Sequence, residues 1–74
     1  MNNMLMDMII FIENNKVVDG LYIAWICKSG WCYILHDTYL KHSRKYNKIQ
    51  KQMLKMDKTM ATYYFQVIDG KVII

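Results

Sequence analysis

Short apolar runs separated by two-residue polar breaks occupy the first half of the chain. The breaks are Asn14-Asn15, Asp19-Gly20 and Ser29-Gly30, and a fourth, Asp69-Gly70, lies near the C-terminus. Asn, Asp and Gly tolerate the positive φ that tight hairpin turns require. The runs between the breaks are rich in aromatic and β-branched residues, as strands are. The pattern predicts strands over about 6–13, 16–18, 21–28, 31–36, 62–68 and 71–74. Strands joined by two-residue turns pair antiparallel. With Ser29-Gly30 as such a loop, Lys28 faces Trp31 and Cys27 faces Cys32.

Segment 38–60 follows another period. Tyr39, His42, Tyr46, Ile49, Met53, Met56 and Met60 recur at alternating spacings of three and four, which places them on one face of a helix. Asp37 or Thr38 can cap its N-terminus, where an acid also suits the helix dipole. No glycine stops the far end, so the boundary falls in the stretch 59–62. Such a helix is about 34 Å long. The expected fold is α+β: a small antiparallel sheet of hairpins with one long amphipathic helix packed across it, in the order β-β-β-β-α-β-β. Residues 21–27 and 31–35 are apolar at both alternating positions. A single helix covers one face only, so the other face exposes Tyr, Trp, Ile or Cys unless something else covers it.

Size sharpens that problem. Seventy-four residues form a single domain, 1–74, with a thin core. Folds this small usually need a staple: a disulfide, a metal or a partner chain. The apolar content, 54%, argues against disorder, and three glycines with no proline leave no flexible linker. Two-faced apolar strands over a thin core predict a homodimer or an obligate complex. The Met-rich stripe also fits a coiled-coil seam. The longest apolar runs fall far short of the ~20 residues of a membrane span. The N-terminus lacks a basic region and Asp7 interrupts its apolar stretch, unlike a signal peptide. The expectation is a cytoplasmic chain, without a membrane partner, whose Cys27 and Cys32 are reduced. Ile, Lys, Met, Tyr, Asn and Phe outnumber Gly, Ala, Arg and Pro heavily, the bias of an AT-rich genome such as many phages and mobile elements have.

The formal net charge is +4, distributed unevenly. Lys41, Arg44, Lys45, Lys48, Lys51, Lys55 and Lys58 fall in the helical segment, with Asp57 its only acid. At ~100° per residue they cover an arc of about 140° opposite the Tyr/Ile/Met stripe. Segregated positive charge is the footprint of a nucleic-acid binder, driven by counterion release. The plain alternative is a solvated lysine face, and a third is docking on an acidic protein surface. Lysine lacks the bidentate base readout of arginine, and this segment holds only Arg44. The expected role is therefore a small non-enzymatic binding protein. It docks its basic helix face on an anionic partner: DNA or RNA without sequence preference, or a host nucleic-acid-handling protein that it inhibits.

Other candidates are weaker. Tyr22, Trp25, Trp31, Tyr33, Tyr63, Tyr64 and Phe65 lie in strands, where aromatics can stack bases but more often form core or interface. Cys27, Cys32, His36 and His42 are zinc-ligand types. Yet Cys32 and His36 on one strand stand about 13 Å apart, and two small buried hydrophobes are the simpler reading of the cysteines. No paired carboxylates, nucleophile motif or phosphate loop accompanies His36 or His42. No enzyme activity, metal or cofactor is expected. The alternatives are a small basic ribonuclease-type toxin, with His36 or His42 as acid/base and lysines on the phosphates, and a purely structural oligomerisation module.

Overall fold

The computed structural model describes residues 3–74, and its centre is a four-stranded sheet. Strands β1 (Gly20–Cys27), β2 (Gly30–Leu35), β3 (Ala61–Ile68) and β4 (Lys71–Ile73) lie in the order β2-β1-β3-β4, antiparallel throughout. Three helices complete the fold: α1 (Asn3–Asn15), α2 (His36–Lys41) and α3 (Ser43–Met56). The element order is thus α-β-β-α-α-β-β, an α+β fold.

Strand β1 shows why its sequence is apolar at every position. Tyr22, Ile23, Ala24, Trp25 and Ile26 are all buried. Side chains alternate across a strand, so Tyr22, Ala24 and Ile26 point to one face and Ile23 and Trp25 to the other. On the first face lies α1, which buries Met8 and Ile12 completely against Tyr22, Phe65 and Val67. On the second lie α2 and α3, whose Tyr39 and Tyr46 rings meet Trp25 at centroid distances of 5.9 and 6.3 Å. The face left uncovered by a single helix is closed at its centre by another one.

That second helix corrects the expected strands at 6–13 and 16–18. Residues 6–13 belong to α1, and 16–19 are the loop that enters β1. A short apolar run such as Ile9-Ile10-Phe11-Ile12 does not separate strand from helix by periodicity. The deciding pattern is Met4, Leu5, Met8 and Ile12, at helical spacing against the sheet. Lys16, at φ 49°, ends the helix directly after the Asn14-Asn15 break.

The single helix over 38–60 is also corrected. His42, at φ −129° and ψ 39°, separates α2 from α3, and α3 stops at Met56. The physical reason is Trp25. Tyr39 and Tyr46 are seven residues apart, which spans about 10.5 Å in a straight helix. Both rings nonetheless pack on one indole and stand 6.5 Å from each other. The break at His42 brings them closer than a straight helix holds their backbones. Tyr46, Ile49 and Met53 remain half-buried towards the sheet and Lys48 is exposed, as the stripe requires. His42 is exposed at the break, and Met56, 87% exposed, leaves the stripe.

Turn chemistry is mixed. Asp69-Gly70 connects Ile68 to Lys71 with φ of 51° and 78°, the both-positive pattern of a type I′ hairpin. The β1–β2 loop is Lys28-Ser29, so Cys27 faces Gly30 and Cys32 faces Trp25, not Cys27. Asp19-Gly20 is no hairpin turn. The Asp19 carboxylate instead accepts the Asp69 and Gly70 amides at 2.8 and 3.2 Å, tying the α1–β1 loop to the last hairpin. Glu13 accepts the Val72 amide at 2.9 Å and fastens α1 to the edge strand.

The packing of α1 predicts a contrast between two methionines. Met8→Ala should destabilise the chain by about 2–5 kcal/mol, the range for a buried Met truncated to Ala. Met56→Ala should change stability by no more than about 0.5 kcal/mol. Urea unfolding followed by circular dichroism measures both, and equal effects would contradict the placement of α1 against the sheet.

Candidate nucleic-acid interface

Helix α3 is a rib laid on the sheet and held at few points. None of its residues is fully buried. Tyr46 stacks on Trp25 with an interplanar angle of 14°. The Cys32 thiol lies 3.9 Å from the Met53 sulfur. At the C-terminal end, the Asp57 carboxylate accepts the Lys28 amide at 2.8 Å and the amide and hydroxyl of Thr59. The Lys28 bond fixes the end of α3 to the β1–β2 hairpin, and the two Thr59 bonds hold the carboxylate in place. All three also hold the Asp57 carboxyl down to about 2, with the Thr59 hydroxyl the largest influence.

The anchored side of the helix sets the direction of the other. Tyr46, Ile49 and Met53 face the sheet, so at ~100° per residue Arg44, Lys48, Lys51 and Lys55 point away from it. All four are exposed. They follow one another at spacings of four, three and four, and the row is about 16 Å long at 1.5 Å rise per residue. Lys45 sits on the flank, its Nζ 5.5 Å from the Tyr46 ring centroid. Lys41 is the last residue of α2, across the break at His42, and Lys58 follows Asp57 beyond the end of α3. Both are exposed, but neither continues the helical phase of the row.

Acids do not compensate this charge. The chain has six, and Glu13, Asp19 and Asp57 bind backbone amides. Among the described residues, none of the seven cations is ion-paired. One apolar residue interrupts the basic surface. Leu54, 45% exposed, lies in a shallow groove with Lys51, Lys55 and Lys58. The stripe pattern passed over it because it falls outside the three/four spacing. Its signal was being a large apolar residue off the buried face.

The remaining candidates disperse. Tyr22, Trp25 and Phe65 are buried, and Trp31, Tyr33 and Tyr63 are half-buried against the α1 core. Of these seven aromatics, Tyr64 alone is exposed, at 59%. His36 is half-buried between Tyr39 and Tyr64, at 6.1 and 5.9 Å, while His42 is exposed at the helix break. The two thiols are free and differ in environment. Cys27 contacts the Ser29 hydroxyl at 3.4 Å, which lowers its pKa, whereas burial raises that of Cys32. Among the described residues, no three His, Cys, Asp or Glu side chains converge on a point where a metal ion could bind. No helix among them is long and apolar enough to cross a membrane. In comparison with known proteins, no family model, curated sequence or solved structure matched the chain.

The Asp57 clip has a defined pH signature. Its folded pKa lies below the ordinary value, so the stabilisation is complete above about 4 and disappears as pH falls towards 2. The amide proton shifts of Lys28 and Thr59 should therefore move together in an NMR titration, with a midpoint near 2. Asp57→Asn should abolish that transition and loosen the end of α3 at neutral pH. Independent midpoints for the two amides would show that they do not share this carboxylate.

Proposed function

We propose that this chain is a non-enzymatic protein that binds nucleic acid without sequence preference, through the outer face of α3. The observation that supports this most is the unpaired row of Arg44, Lys48, Lys51 and Lys55, on the side of a helix whose other side is anchored to the sheet. A helix with its side chains is about 10–12 Å across, and the major groove of B-DNA is about 12 Å wide. A rib that stands on a sheet, with no buried residue, can enter such a groove or follow a single strand. Three of the four cations are lysines, which act on phosphates as point charges and read no base pattern. The contacts position the protein on the backbone, and that makes binding general.

Salt dependence is the test. If all four cations engage, the log–log slope of affinity against salt for B-DNA should be roughly −3.6, at −0.9 per phosphate neutralised. Lys48→Gln with Lys51→Gln should reduce its magnitude by about 2. The same change should leave the fold intact and stabilise α3 slightly, by at most about 1–2 kcal/mol at low salt, because it removes like-charged neighbours one turn apart. Absence of retention on DNA or RNA at ~50 mM salt, where non-specific binding is strong, would overturn the proposal. Retention of an acidic protein under those conditions would assign the row to protein docking instead.

A further inference from the structure

The sheet face that carries α2 and α3 is only half covered. Over β1 and β2 the helices bury Ile23 and Trp25. Cover ends near His36, whose ring meets Tyr64 edge-on at 5.9 Å. Beyond it, Leu21, Tyr64, Ile68 and Ile73 lie on the same face, and each is between 43% and 59% exposed. They form an apolar surface on β3 and β4 with Thr62 and Gln66 among them and Lys71 at its turn end.

We infer that a second copy of this chain covers this open half of the sheet. Two observations favour that occupant. The first is area. A folded monomer of 8.9 kDa is expected to expose about 4,800 Å², whereas this chain exposes 5330 Å². The excess, about 500 Å², is what each partner buries in a small interface, one of under about 1,200 Å² in total. The second is shape. The helices make a step on one half of the face, and a helix with its side chains is about 10–12 Å thick. Stacked sheets pack about 10 Å apart. Two copies related by a two-fold axis parallel to the strands can therefore seat open half on open half. Each helix layer then lies beyond the partner's β4, where it shields an edge strand of three residues. The contact is isologous and closes on itself. Its centre is uncharged and apolar, which suits a second copy better than a polyanion. Arg44, Lys48, Lys51 and Lys55 stay outside the seam, so this inference stands apart from the proposed function.

Light scattering of the full chain at micromolar concentration should give twice the 8.9 kDa chain mass. Tyr64→Glu should return that mass to the monomer with its circular dichroism spectrum unchanged. Lys48→Gln with Lys51→Gln should leave the dimer mass in place. A second measurement needs no substitution, should the Tyr64 variant fail to fold. Amide exchange in residues 64–68 and 71–73 should slow as the wild-type concentration rises, while that in α1 should not. A monomeric mass for the wild type overturns the inference. So does a dimer that persists in a folded Tyr64→Glu variant, or exchange in β3 and β4 that is independent of concentration.

Discussion

The Trp25 indole is the point from which the rest of the second layer is positioned. It sits on the central strand, 1% exposed, between Tyr39 and Tyr46. Burying a ring of its size removes 150–250 Å² from water, worth about 4–6 kcal/mol before any ordering cost. Among the described residues its Nε1 finds no hydrogen-bond partner, a cost of about 1–3 kcal/mol. The packing gain exceeds that loss, so the ring stays. Two tyrosines from one continuous segment pack on it from either side of a bend at His42. Once Tyr46 is stacked there, helical geometry puts Ile49 and Met53 on the sheet and sends Arg44, Lys48, Lys51 and Lys55 outwards.

Local chemistry was legible in the sequence and long-range chemistry was not. The Asp69-Gly70 hairpin follows from two residues that accept positive φ. The main strands follow from aromatic and β-branched runs between breaks. By contrast, the β1–β2 loop is Lys28-Ser29 rather than Ser29-Gly30. Its Lys28 amide is tied by Asp57, far along the chain, which no local rule reports. Helix α1 escaped because its apolar face and its β-branched run occupy the same residues. The outer row of α3 was readable from periodicity alone. Whether Lys41 and Lys58 share it depended on the helix continuing through His42 and past Met56, and those limits are tertiary.

The disposition of the acids connects stability to the surface charge. A chain this small lacks area for a thick core, and its thiols are unpaired. Carboxylate-to-amide hydrogen bonds fasten its loops instead. Glu13 joins α1 to β4, Asp19 joins the α1–β1 loop to the last hairpin, and Asp57 joins the end of α3 to the first. Such bonds are charge-assisted and stronger than neutral ones. They span segments distant in sequence, which is where loop-closure entropy opposes folding most.

The same arrangement leaves α3 in a particular electrostatic state. Arg44 and Lys48, Lys45 and Lys48, Lys48 and Lys51, and Lys51 and Lys55 are like-charged neighbours one turn apart. Each such pair destabilises a helix by roughly 0.2–0.5 kcal/mol. Together they weaken α3 by about 1–2 kcal/mol at low salt, and no acid among the described residues pairs with them. A helix without a buried residue has little packing to offset this. Its order therefore rests on the Tyr46 stack, the Met53–Cys32 contact and the Asp57 clip. An anion laid along the row removes the repulsion as it forms its own contacts, so binding and ordering of α3 reinforce each other. Added salt screens the repulsion but competes for the same cations. The rib is thus held at its ends and by the Met53–Cys32 contact, while along its outer face its charges repel one another.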